Sequence, residues 1–219
     1  MVFGEIVEPS TRALCTDEFS ENEILELSWN ATPTIASAIN KVFVIETAPL
    51  LSFFKMCILG DQEPICKLNE TNVKVYELHD NDYIITCENS KATAGHITEK
   101  VAPWLKQASE VVVLTSGLVS LLENSDKRSS CIIKQLAYNT ERVHPNLDVP
   151  NLVTGISASV FSYCVHTNTS CSLFKIFFDE LPLDSINTMP LLDLIETVGL
   201  NVLKTYKLEA TASHSNLYI

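Results

Sequence analysis

Two runs in this chain have no polar face: Val42-Phe43-Val44-Ile45 and Val111-Val112-Val113-Leu114. Successive side chains of a β-strand point to opposite faces of its sheet, so a strand with one wet face alternates apolar and polar residues. These runs, made of β-branched and aromatic residues, do not alternate. They read as strands buried on both faces, as at the centre of a parallel sheet covered by helices. Leu173 to Phe178 reads as another buried strand. Segments with helical periodicity lie between them, and strands alternating with helices define an α/β domain. The expected fold class is therefore a three-layer α/β/α domain with a largely parallel central sheet and a flexible C-terminal tail.

Taken in order, residues 1–22 read as an N-terminal arm in which only Val2 to Val7 is strand-like. Glu23 to Trp29 alternates in part and reads as a strand. Thr47 is placed to cap a helix that has Pro49 near its first turn. In that helix Leu50, Leu51, Phe53, Phe54, Met56, Cys57, Ile58 and Leu59 cover nearly every face, so it is expected to be deeply packed or to lie in an interface. Gly60 ends it. Val73 to Leu78 and Tyr83 to Cys87 read as strands around the polar turn His79 to Asp82. Ala92 to Ala108 is helical, with Ile97, Val101, Trp104, Leu105 and Ala108 on one stripe and Pro103 bending or bounding it. Cys131 to Ala137 is a strand, and Asn151 to Val165 and Ile186 to Val198 are helices, the last interrupted by Pro190. Residues 1–208 are read as one domain and 209–219 as a tail without apolar periodicity.

Composition excludes several classes of function. An apolar fraction of 46% argues against general disorder. The net charge of -12 disfavours nucleic acid and anionic membrane surfaces and favours neutral or basic protein partners. No apolar run reaches the roughly 20 residues of a membrane helix. Met1 to Ser10 carries Glu5 and Glu8 and no basic stretch, so no signal peptide is expected. The seven cysteines, Cys15, Cys57, Cys66, Cys87, Cys131, Cys164 and Cys171, include no Cys-x-x-Cys pair. Reduced thiols in a cytosolic or nuclear compartment are expected, and the glycosylation patterns at Asn30, Asn69 and Asn168 are read as chance.

Catalytic signals are few. The strand–turn–helix at 42–60 has no glycine-rich loop to seat a pyrophosphate. Gly155-Ile156-Ser157-Ala158-Ser159 approaches a nucleophile elbow around Ser157, but Ser159 stands where the second glycine belongs. His166, the nearest base in sequence, lies over two helical turns away. The histidines His79, His96, His144, His166 and His214 have no zinc-like spacing. Asp80 and Asp82 flank a turn with too few carboxylates for a calcium loop. No catalytic residue, metal or cofactor is expected, and an α/β hydrolase-like enzyme is the rival reading.

The chain closes on Leu217-Tyr218-Ile219: an apolar side chain, a phenol and a terminal carboxylate, groups that one pocket can recognise together. Four patches then suggest a relationship. They are Phe3-Gly4-Glu5-Ile6-Val7, Lys41 to Ile45 leading into the apolar helix, Pro150-Asn151-Leu152-Val153 running on to Ser162-Tyr163-Cys164, and Ser215-Asn216-Leu217-Tyr218. Together they resemble the proteasome assembly chaperone 1 family. The resemblance implies an α/β core and a heterodimer with proteasome assembly chaperone 2. It also implies binding to proteasome α-subunits, support of α-ring formation, and a block on off-pathway dimers. The tail resembles the hydrophobic–tyrosine–any-residue motif with which proteasome activators dock between α-subunits. That likeness implies Leu217, Tyr218 and Ile219 as docking residues, with the carboxylate on a pocket lysine. A regulator docking on mature proteasomes is the other alternative.

Overall fold

The computed structural model describes residues 26–88, 92–124, 129–179, 183 and 185–202. Its elements, in chain order, are β1 (Ile39–Glu46), α1 (Ala48–Phe54), β2 (Cys66–Lys67), β3 (Val73–Glu77), β4 (Tyr83–Cys87), α2 (Ala94–Gln107), β5 (Ala108–Leu118), β6 (Cys131–Tyr138), α3 (Gly155–His166), β7 (Cys171–Phe178) and α4 (Ser185–Thr197). The seven strands form one sheet in the order β2-β3-β4-β1-β5-β7-β6. The centre is parallel: β1 pairs with β4 and β5, and β5 with β7. The margins are antiparallel, through β2 on β3, β3 on β4, and β6 on β7.

The two unbroken apolar runs lie side by side at this centre, with Val42 opposite Val111 and Val44 opposite Val113. Alternate side chains divide between two cores. Phe43, Ile45, Val112 and Leu114 join Phe53 and Phe54 of α1 and Leu191, Leu194 and Ile195 of α4 on one face. Val42, Val44, Val111 and Val113 join Trp104 of α2 and Val160 and Cys164 of α3 on the other. That is the three-layer α/β/α arrangement, and it explains the missing alternation: neither face of β1 or β5 is wet.

Several local expectations are corrected. The described part of the segment Glu23 to Trp29 makes one isolated bridge, Trp29 to Leu68, and no strand. Its partial alternation reflects Leu27 burying and Trp29 packing edge-on against Trp104, centroids 5.2 Å apart. Thr47 does not cap α1 with its side chain; its φ of 84° turns the hydroxyl to Ser116 Oγ on β5, 2.7 Å away. The apolar helix is packed inside the chain. Leu50, Phe53 and Phe54 are fully buried, and a π-helical turn, Lys55–Leu59, carries it on to Gly60. Neither proline breaks its helix. Pro103 lies on the exposed side of α2 between buried Ala102 and Trp104, so packing offsets the lost hydrogen bond, and α4 runs through Pro190. Helix α3 starts at Gly155, four residues later than the periodicity suggests. The N-terminal arm, residues 203–208, and the tail with Leu217, Tyr218 and Ile219 lie outside the described residues.

Candidate functional site

In open α/β sheets ligands bind beyond the carboxyl ends of parallel strands, where the strand order reverses. Here the chain passes from β1 to β4 on one side and then from β4 to β5 on the other, so the reversal falls at β1. Glu46 is the last residue of β1, and the N-terminus of α3 stands beside it. A helix N-terminus presents unpaired N–H groups and the positive end of the helix dipole, a ready seat for an anion.

That seat is filled from within the chain. Glu46 Oε1 accepts the Ile156 N–H at 3.0 Å, and Oε2 accepts the Ser157 N–H at 3.0 Å and the Ser157 hydroxyl. Thr154, at the N-cap position, makes no side-chain cap, so the strand-end carboxylate caps α3 in its place. Gly155 makes this approach possible. Its φ is +76°, a conformation that glycine adopts without strain, and a Cβ there would run into Glu46 Oε1. The glycine that resembled part of a nucleophile elbow is thus explained by a carboxylate brought against the backbone.

Ser157 is fully buried and its hydroxyl is committed to Glu46. His166 is exposed at the far end of α3, about 14 Å along the helix axis at 1.5 Å per residue. The structure therefore does not bring Ser157 and His166 together. Cys87 ends the neighbouring strand β4, and its thiol is pushed up by burial and then by the Glu46 carboxylate.

A cleft of about 900 Å³ opens between α2 and α3, lined by Thr98, Ala102, Lys106, Ser159, Tyr163 and His166 among others. Thr98 Oγ1 donates to the Ala94 carbonyl and is hydrogen-bonded to Ser159 Oγ, each at 2.8 Å, which ties the two helices together. The Tyr163 hydroxyl is buried without a hydrogen-bond partner among the described residues. Glu99 and Ser162 line it as well, and among the described residues no hydrogen bond joins His166 to Glu99 or to a serine of the cleft.

Among the described residues no group of three or more His, Cys, Asp or Glu side chains converges as a metal site. Asp82 accepts from Asn40 Nδ2 at 2.9 Å and from the Lys41 N–H at 3.0 Å, fastening its turn to the start of β1. Burial raises its carboxyl, partly offset by those two hydrogen bonds. Asp80, at φ 62°, lies in the left-handed region that such turns use. His144 packs edge-on against Phe174, and burial holds its imidazole below the usual range.

Sequence reasoning missed two features. One is Glu46 as the cap of α3; its only signal was a lone carboxylate directly after an apolar strand. The other is a pair of loops at the carboxyl edge on which Leu121, Val149 and Leu152 are 69%, 80% and 72% exposed.

No family model and no curated protein sequence matches the chain. Solved structures do. PbaA of Pyrococcus furiosus, an archaeal homolog of proteasome-assembly chaperone, superposes with a TM-score of 0.59 at 13% identity, over 80% of this chain and 87% of that one. A proteasome-assembly chaperone homologue from Mycobacterium tuberculosis gives 0.52 at 11% identity, over 72% and 84%. A Corynebacterium glutamicum protein of unknown function gives 0.57 at 9% identity, over 80% and 82%. The class defined here is an α/β domain with a parallel centre and antiparallel margins. Its fold is one that proteasome-assembly chaperone homologues also have.

Proposed function

We propose that this chain is a non-catalytic proteasome assembly chaperone of the type 1 kind. In this reading it pairs with proteasome assembly chaperone 2 in the cytosol or nucleus. The pair holds proteasome α-subunits during α-ring assembly and blocks off-pathway dimers. The observation that carries the non-catalytic part is the Glu46–α3 cap. The crevice that would take a ligand holds the protein's own carboxylate, and Ser157 is sealed beneath it. The fold shared with assembly-chaperone homologues supports the assembly role. Assembly by such a pair needs no chemistry: a partner that prefers one arrangement raises its population by its differential affinity.

The tail is the proposed docking element. Leu217 fills an apolar pocket between two α-subunits, Tyr218 packs its ring and hydrogen-bonds through its hydroxyl, and the Ile219 carboxylate meets a pocket lysine. Burying Leu217 contributes about 1.5–3 kcal/mol. A charge-assisted hydrogen bond at the carboxylate contributes about 1.5–3 kcal/mol. Ordering the residues before them opposes both, so the domain surface shares the binding. Deleting Leu217 to Ile219 is expected to weaken co-purification of α-subunits without abolishing it, at an unchanged level of heterodimer. Tyr218→Ala should cost less than the deletion. One residue added after Ile219 should act like the deletion by displacing the carboxylate. Wild-type recovery of α-subunits by all three variants would remove the tail from this account.

A further inference from the structure

We infer that a small polar cavity between α1 and the β3–β4 margin is a binding site for a free dicarboxylic amino acid, of the glutamate or aspartate kind. The cavity has a volume of about 250 Å³ and brings Lys55, Lys74 and Glu88 to one place. It lies on the face of the sheet opposite the Glu46 cap. Tyr76 and Ile84 join the core that α1 shares, and Lys74 and Thr86 take the same face by alternation. Lys74 stands opposite Thr86 in the register of the two strands, and Thr86 Oγ1 donates to the Lys74 carbonyl at 3.4 Å. Ala48 and Ser52 of α1 line the cavity, and Lys55 follows at the start of the π-helical turn. Turns of this kind recur at functional sites. Glu88 directly follows β4, the strand beside β1, where the strand order reverses. The cavity therefore opens at the edge where α/β sheets take ligands. Glu46 closes the α3 side of that edge and leaves the α1 side open.

The ligand class follows from charge. Lysine and glutamate side chains at a surface are ordinarily solvated singly or paired with each other. Here two cations and one anion line a single cavity, and none of the three is ion-paired. Among the described residues the one ion pair joins Lys41 to Glu110, at 3.6 Å. A simple oxyanion would meet Glu88 as a like charge, and a simple cation would meet two lysines. A molecule with two carboxylates and one ammonium carries the complementary set, and its net negative charge matches the net positive charge of the site. Lys55 and Lys74 take the carboxylates, and Glu88 takes the ammonium. Ser52, Asn72 and Tyr76 also line the cavity and add hydrogen-bonding groups. Burial raises the Tyr76 phenol, so it keeps a proton to donate. Charge pairs this exposed contribute little each, so an affinity on the order of millimolar is expected.

The test is calorimetric titration of the full chain with L-glutamate at constant ionic strength. Glutarate, which lacks the ammonium, and L-glutamine, which lacks one carboxylate, are the comparison ligands. Glutamate is expected to bind saturably and about tenfold more tightly than either, since each lacks one charge-assisted contact. Lys55→Gln and Lys74→Gln should each weaken glutamate about tenfold. Glu88→Gln should bind glutamate and glutarate alike, an outcome that a merely structural role would not produce. Lys106→Gln, on the α2–α3 cleft, should bind glutamate as the parent does. All four replaced side chains are exposed or half-buried, so melting should match the parent. A parent chain that shows no saturable binding of glutamate overturns the proposal. Equal binding of glutarate overturns it, and so does a Glu88→Gln protein that keeps the preference. Parent-like binding by both lysine variants, or equal loss in Lys106→Gln, also overturns it. None of these outcomes bears on recovery of α-subunits, so the assembly role stands or falls separately.

Discussion

Glu46 shows how one side chain decides what an α/β crevice can do. Its carboxylate lies on the positive end of α3 and holds two backbone N–H groups and a hydroxyl. Hydrogen bonds to a charged group contribute about 1.5–3 kcal/mol each, so Glu46→Ala should lower unfolding stability by about 2–4 kcal/mol, read from the denaturant midpoint at constant slope. Gly155→Ala should lower it by about 1–3 kcal/mol through its positive φ, and more if Glu46 is displaced as well. Ser157→Ala should leave chaperone function intact, since its hydroxyl serves Glu46. Labelling of Ser157 by a fluorophosphonate probe in the native protein would contradict the non-catalytic reading. The sequence displayed Gly155 and Ser157 as a broken motif, and that much was legible. The reason for the glycine was not, because its partner lies more than a hundred residues earlier and only the fold brings them together.

Among the elements, legibility followed burial. The runs in β1 and β5 were readable because two dry faces leave no polar residue to interrupt them. Edge elements were harder. β2 is two residues long, and β6 shows a burial alternation that suits a half-covered edge, so neither announces its pairing direction. The prolines in α2 and α4 misled because local propensity was overridden by packing on the sheet. The cysteines belong to this scale as well, since all six described ones are buried within these elements and free. Burial pushes the Cys66 thiol up to about 11 and, with help from Asp179, that of Cys131 up to about 12. At pH 8 these two are almost wholly protonated and therefore unreactive. Iodoacetamide should modify the native chain at no more than Cys15. After denaturation without reductant it should modify all seven, and a persistent disulfide would refute the expected reducing compartment.

For the whole molecule, charge, fold and surface bear on one question. The chain carries a net charge of -12, and no helix among its described residues is long and apolar enough to cross a membrane. The apolar helix, expected to be deeply packed or in an interface, is packed in the core. The tail residues Leu217 to Ile219 lie outside the described residues, and their proposed docking role rests on the sequence alone. The central claim is that the chain assembles α-subunits and is not an enzyme or a regulator of finished particles. Affinity purification of the tagged chain at endogenous level, followed by quantitative mass spectrometry, tests it most directly. Proteasome assembly chaperone 2 should be recovered with α-subunits and few β-subunits. Recovery of complete particles with α- and β-subunits in equal amounts, or of no proteasome subunit at all, would contradict it.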